Sequence, residues 1–261
     1  MGASRETGRV SELTDDRLIQ FEAAANFRDL GGYPSTLGGD VRRGMLYRAG
    51  RLDRMTATDR ELYAGLGIHT VIDLRRDDER EQAPDPMPNL HLCLMSRVTA
   101  NQPVRDPGTM VDHDHGVQFL LDLYSGLLAH APVEIGTLFT TLAEPDAMPA
   151  VFHCAVGKDR TGLIAALLLT WLGVDRELVL DDFEASDGHI GQTQRDELIR
   201  RMADRGIGPE AAAGVLGATR ESMQTALDEL DSRYGGIEPF LRQHCAVDAD
   251  VLARLRALLL A

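Results

Sequence analysis

Apolar residues recur at helical spacing over several long stretches, separated by short unbroken apolar runs, and this alternation predicts an α/β chain. From Thr58, Leu62 and Leu66 with Gly65 and Gly67 predict a short helix that stops before Ile68, and Thr70 to Leu74 reads as a strand. The charged run Arg75 to Glu81 closes that strand, and Pro84, Pro86 and Pro88 lead into a second strand candidate, Leu90 to Met95. Residues 96–115 show no clear period. Residues 117–143 carry Phe119, Leu120, Leu123, Leu127 and Leu128, then Ile135, Leu138, Phe139 and Leu142, which predicts two packed helices broken near Pro132. A short strand, Ala150 to Phe152, precedes a ten-residue polar loop and an apolar helix that ends near Gly173. Beyond it the pattern is helical: about 176–186, 190–204, 209–216, 219–233 and 248–260. The expected fold is a single α/β domain, residues 1–261, with a central largely parallel sheet flanked by helices and a helical extension. Residues 1–20 are expected to be frayed, and an ordered loop begins at Phe27-Arg28-Asp29-Leu30-Gly31-Gly32.

Composition narrows the function. With 261 residues, 44% hydrophobic and 26% charged, the chain is expected to be globular. Lys+Arg 27 against Asp+Glu 41 leaves a net charge of −14, which repels nucleic acid and an anionic bilayer, so an anionic ligand needs a local basic site. The longest uncharged apolar run, Leu163 to Val174, is too short to span a bilayer. Residues 1–20 do not read as a signal peptide, so the expected location is the cytoplasm, with export lacking a classical signal left open. Three cysteines, Cys93, Cys154 and Cys245, cannot all pair, and their spacing fits neither a disulfide framework nor a zinc motif. A monomer is the expected state.

The polar loop supplies the basic site. It runs His153-Cys154-Ala155-Val156-Gly157-Lys158-Asp159-Arg160-Thr161-Gly162, between an apolar strand and a long helix. A dianionic phosphate is held well by converging backbone N–H groups at a helix N-terminus. Gly157 permits the tight turn, and Arg160 can clamp two phosphate oxygens. The same positive potential favours a thiolate at Cys154, so nucleophile and anion site coincide and in-line attack would give a phosphocysteine. Ala155, Val156, Gly157, Lys158, Arg160 and Thr161 are the expected phosphate-binding positions.

This loop resembles the signature of the cysteine-dependent protein tyrosine phosphatases, and most closely that of their atypical bacterial subfamily, whose type is mycobacterial. Asn26-Phe27-Arg28-Asp29, Val71-Ile72-Asp73-Leu74-Arg75, Tyr234-Gly235-Gly236 and Phe240-Leu241-Arg242 extend the likeness along most of the chain. The resemblance implies activity on phosphotyrosine, often on phosphoserine and phosphothreonine, and in several members on phosphoinositides. It implies Cys154 as nucleophile, Arg160 as clamp, Lys158 as a contact to that phosphate or a second one, and Thr161 as a partner for the leaving thiolate. It makes Asp159 the general acid, because the aspartate of a mobile Trp-Pro-Asp loop has no counterpart here: the single tryptophan, Trp171, lies in the apolar helix. It also makes residues 188–217 a helical lid, against the alternative of an ordinary packed helical pair. No metal or other cofactor is expected.

Several alternatives stand beside these roles. Asp159 could cap the helix, and Asp73, at a strand end, is the reserve acid. His153 is expected to order the loop rather than act as a base. Tyr124 is a packing residue or an aromatic substrate contact, and Asp112 to His115 is expected to be solvated rather than metal-binding. The competing functions are a mainly phosphoinositide phosphatase, a phosphate-reading module without turnover, and a thiol redox enzyme, for which only Cys93 and Cys245 could resolve.

Overall fold

A computed structural model of the chain describes residues 16–101, 110–217 and 219–261. Five strands form one sheet in the order β1-β2-β5-β3-β4. They are β1 Arg28–Asp29, β2 Leu46–Ala49, β3 Thr70–Asp73, β4 Leu90–His91 and β5 Ala150–His153. β1 is antiparallel to β2, and all other pairs are parallel. β5 is central: Ala49 and Asp73 both stand level with His153, so the segments leaving β2, β3 and β5 emerge side by side at one edge. The carboxyl edge of a parallel sheet is where such folds place their ligands.

Both faces of the sheet are covered, and the period-2 alternation of strand side chains assigns residues to each. Tyr47, Ala49, Val71 and Val151 pack with Phe27, Leu52 and Met55 on one side, where helix α1, Ala57–Gly65, lies. Leu46, Ile72, Ala150 and Phe152 face the larger core on the other side, with α6, Asp159–Trp171. Arg48 therefore points into the large-core side, and it is fully buried.

The predicted helices form with small shifts of boundary. The 117–143 pair is α4, His113–His130, and α5, Pro132–Leu142, with proline in the first turn where its missing N–H costs no bond. α4 begins earlier than its apolar pattern because Asp112 caps it, accepting from the His115 N–H at 2.9 Å and lying 2.7 Å from His115 Nδ1. The later helices are α7 Arg176–Ala185, α8 Gln192–Ala203, α9 Pro209–Leu216, α10 Arg220–Tyr234 and, after the short α11 Ile237–Pro239, α12 Ala249–Leu259. Two short helices, α2 Asp77–Gln82 and α3 Val98–Asn101, the latter inside the stretch without a clear period, and a π-helical turn, Phe240–His244, complete the order.

Two expectations are corrected and one strand is added. The strand predicted over 90–95 ends at His91: Leu92 N–H still reaches Asp73 O at 2.9 Å, but β3 stops there and leaves later residues without a partner. β2 carries no apolar run long enough to predict it. The frayed segment is shorter than expected at its far end, because Arg17 is buried and Ile19 N–H bonds to Phe27 O at 2.9 Å; residues 1–15 lie outside the described part. Among the described residues no helix is long and apolar enough to cross a membrane.

Candidate active site

Cys154 leaves β5 at the carboxyl edge of the sheet, with only 2% of its surface exposed. The chain turns back so that Gly157 N–H points at Cys154 Sγ, 3.3 Å away. Gly157 has φ +75, and a Cβ there would stand 2.6 Å from the Ala49 carbonyl carbon, so both the turn and the close approach require glycine. Its carbonyl is drawn outward by two donors, Asn26 Nδ2 at 2.8 Å and Arg48 Nη2 at 2.7 Å. Ala155 O is likewise turned outward, 3.4 Å from Arg51 N–H. With these carbonyls engaged elsewhere, Gly157 N–H is aimed at the sulfur, and an N–H directed in this way suits an anion.

Arg160 sits in the first turn of α6, and its guanidinium is gripped by Glu79, with Nη1 to Oε2 at 2.6 Å and Nη2 to Oε1 at 3.0 Å. Burial opposes its charge, but the Cys154 sulfur and Glu79 outweigh burial and hold Arg160 above the ordinary arginine range. The same pairing keeps Glu79 below the usual carboxylate range, although burial pulls the other way. Glu79 is a site residue that sequence reading missed. Its only signal is its place in the charged run after β3, where several carboxylates look alike.

Asp159 begins α6, and Tyr124, fully buried on α4, donates its hydroxyl to Asp159 Oδ1 at 2.9 Å. Burial and then Asp159 push the Tyr124 phenol well above its ordinary range, so it stays a donor. Lys158 Nζ lies 3.4 Å from Asp159 Oδ1, but it donates to Val215 O at 2.6 Å and Gly217 O at 3.1 Å, carbonyls at the C-terminal end of α9. Thr161 Oγ1 is buried with no hydrogen-bond partner among the described residues. Asp73 is fully buried and accepts from Arg75 N, Nε and Nη2 at 3.0, 2.9 and 2.8 Å. Burial alone would raise it, but Arg75 and His153 hold it below the usual range. His153 is also fully buried, with Nε2 3.0 Å from Asp85 Oδ2 and Nδ1 3.4 Å from Cys154 O.

Beneath the loop lies a buried ion cluster that the sequence pattern does not disclose. Asp182 of α7 meets Arg48 Nη1 at 2.5 Å and Arg28 Nε at 3.2 Å, and Arg28 Nη2 also bonds Asp182 O at 2.6 Å. Arg17 joins through Tyr33, whose hydroxyl accepts from Arg17 Nη2 at 2.6 Å and lies 3.3 Å from Asp182 Oδ1. Burial, then its cationic neighbour Arg28, lowers Arg48 to about 10. Three arginines share one aspartate, so an excess of positive charge is buried below the anion loop.

Helices α8 and α9 flank the loop. α9 packs against the start of α4 through Gly116 and Gly214, where a Cβ on either would overlap backbone of the other helix. On the other side a cavity of about 50 Å³ is lined by Arg51, Arg54, Ala155, Val156, Glu197 and Arg201. Arg54 bonds Glu197 of α8 at 2.9 and 3.0 Å.

The chain is similar to known phosphatases. The chain is 27% identical over 278 residues to PtpB of Mycobacterium tuberculosis, a triple specificity protein phosphatase, covering 92% of this chain and 98% of that one. It is 30% identical over 205 residues to a tyrosine-protein phosphatase of Nostoc commune, covering 75% and 67%. Residues 19–261 match the sequence model of the tyrosine phosphatase family, and the chain belongs to that family.

Proposed function

We propose that this phosphatase hydrolyses phosphate monoesters through a phosphocysteine on Cys154, with protein phosphotyrosine as its main substrate and phosphoserine, phosphothreonine and phosphoinositides as further ones. The observation that carries the reading is the loop: a sulfur faced by Gly157 N–H, with an adjacent arginine locked by Glu79 in one orientation. The thiolate attacks phosphorus as the ester P–O bond breaks, and the leaving oxygen takes a proton from Asp159. Tyr124 occupies Oδ1, so Oδ2 is the oxygen that carries it. Water then attacks the phosphocysteine, Asp159 takes its proton, and the P–S electrons return to sulfur, where the unpartnered Thr161 hydroxyl can donate. Arg160 and the loop N–H groups stabilise the equatorial oxygens in both steps. Asp159 is preferred to Asp73 as the acid, because Asp73 is sealed from solvent and held ionised by Arg75.

A substrate panel of phosphotyrosine, phosphoserine, phosphothreonine and phosphoinositides tests the order of preference. Phosphotyrosine is expected to have the highest kcat/KM, in keeping with the match to the tyrosine phosphatase family. A phosphoinositide in first place overturns that order. Asp159→Asn is expected to lower kcat by about 10²- to 10⁴-fold for alkyl phosphates and much less for an aryl phosphate with an acidic leaving group. Equal losses for both would remove Asp159 from the acid role.

We further read residues 188–217 as a lid in its closed position. The sulfur is buried, and α8 and α9 stand against the loop through the cavity lined by Ala155, Val156, Glu197 and Arg201 and through the Lys158 bonds to Val215 O and Gly217 O, so their movement would open the loop to substrate. Lys158 is the latch, and Lys158→Met is expected to speed inactivation of Cys154 by hydrogen peroxide. The sign is diagnostic: losing a cation beside the loop disfavours the thiolate and slows oxidation, so only lid opening accelerates it. A rate at or below wild type would overturn the latch.

A further inference from the structure

We propose that Asp77, His91 and Cys93 form a binding site for a borderline-soft divalent cation, zinc in class, outside the phosphate loop. One carboxylate oxygen, one imidazole nitrogen and the thiol sulfur lie within 4.8 Å of one another. This mixed O, N, S set suits zinc and excludes magnesium and calcium, which take oxygen alone.

The topology assembles the three donors on supported backbone. β3 and β4 are parallel neighbours, with Asp73 level with His91. Leu92 N–H bonds to Asp73 O at 2.9 Å, so the chain is still extended past His91, and His91 and Cys93, two residues apart, project to the same side. Asp77 is the first residue of α2, which follows β3.

Each donor is also oriented. His91 Nε2 stands 2.8 Å from the Arg75 carbonyl, which can only accept, so Nε2 carries the hydrogen and Nδ1 presents its lone pair. A backbone carbonyl on the far ring nitrogen is the outer partner that fixes zinc-ligating histidines. Nδ1 faces Asp77 Oδ1 at 3.7 Å, too long for a hydrogen bond. That separation is close to the ~3.4 Å between nitrogen and oxygen ligands on a tetrahedral zinc with bonds of about 2.0–2.1 Å. Burial raises the Cys93 thiol above its ordinary range, and the Asp77 carboxylate adds to this against the backbone N–H groups of Met95 and Asp77 that meet the sulfur, so without an ion the thiol keeps its proton and a bound cation would displace it. Asp77 is exposed and the other two are half-buried, which gives an ion a route in and leaves a fourth position for water.

An ion here would tie β4 to the start of α2. Glu79, two residues further along α2, grips Arg160, and Arg160 is among the charges that act on Cys93. The site is thus a staple beside the Arg160 support, and its occupancy does not depend on which substrate the phosphatase takes.

The test is zinc titration of tag-free protein carrying Cys154→Ser, which removes the loop thiol as a competing ligand, against a chromogenic chelator. One equivalent is expected to bind, with affinity lowered about tenfold or more by His91→Ala, Cys93→Ser or Asp77→Asn, each added to that background. Cobalt in place of zinc is expected to give the near-ultraviolet thiolate-to-cobalt absorption in the Cys154→Ser protein and to lose it in the Cys93→Ser double variant. The cobalt band reports sulfur ligation before any of the three ligands is altered, and Asp77→Asn changes only an exposed group, so misfolding cannot imitate the result. Absence of stoichiometric uptake, or uptake and absorption that survive Cys93→Ser or His91→Ala, overturns the site.

Discussion

Replacing Cys154 by serine is expected to abolish hydrolysis of an aryl phosphate, by at least about four orders of magnitude in kcat, while leaving phosphate affinity unchanged or slightly raised. The change swaps one buried atom and leaves its surroundings alone. Gly157 N–H, the Glu79-locked Arg160 and the start of α6 all remain, and in the proposed mechanism these groups hold the dianion. A serine hydroxyl in the same place keeps its proton, because an alcohol is a far weaker acid than a thiol and the positive potential that suits a thiolate does not ionise it. Serine also lacks the negative charge that a reacting thiolate would present to the incoming phosphate. Steady-state turnover and calorimetric titration with phosphate separate the two effects. Residual turnover above about one percent would rule out the phosphocysteine route. A large fall in affinity would mean that the sulfur organises the loop instead of reacting from it.

The loop could be read from the chain because its chemistry is local. Cys154, Gly157 and Arg160 lie within seven residues between an apolar strand and an apolar helix, and that order already fixes an N–H cradle at a helix start. The helices of 113–142 were legible for the same reason, with Pro132 marking the break. β2 was not legible, because Leu46-Tyr47-Arg48-Ala49 has an arginine where a buried strand should be apolar. That arginine is accommodated by Asp182, 134 residues away, and no local pattern carries such a pairing. Glu79 is hidden for a related reason: its partner Arg160 lies 81 residues further on. Asn26 and Arg28 were visible only as part of a resemblance, and their work, holding Gly157 O and Asp182, is seen only in three dimensions. The single-domain reading rested on the alternation of strands and helices, and the five-stranded sheet has the predicted largely parallel order.

The second large effect is expected at Asp182. Its carboxylate is 2% exposed and faces Arg28 and Arg48, with Arg17 near through Tyr33. Asp182→Asn keeps the shape and removes the charge, leaving buried arginines without their counter-ion, a loss of about 3–5 kcal/mol. For a chain of this size that corresponds to a fall in Tm of about 10 °C. The pH dependence identifies the cause. Burial alone would raise Asp182, but Arg28 and Arg48 hold it well below the usual carboxylate range. A depressed carboxylate stabilises the folded state fully above its unfolded value, near 3.8, and that stabilisation is lost as pH falls toward the folded value. The gap between wild type and Asp182→Asn in urea melts is therefore expected to be constant from pH 7 to about 5 and to narrow below about pH 4. A gap that stays constant down to pH 3, or never exceeds about 1 kcal/mol, would show that the charge does not hold the cluster. The same variant carries a catalytic consequence, because Arg48 joins Asp182 through Nη1 to Gly157 O through Nη2 at 2.7 Å. With Arg48 displaced, Gly157 O keeps Asn26 Nδ2 but loses its second donor and the peptide holds its N–H less firmly toward the sulfur, so kcat is expected to fall even at temperatures where the variant remains fully folded.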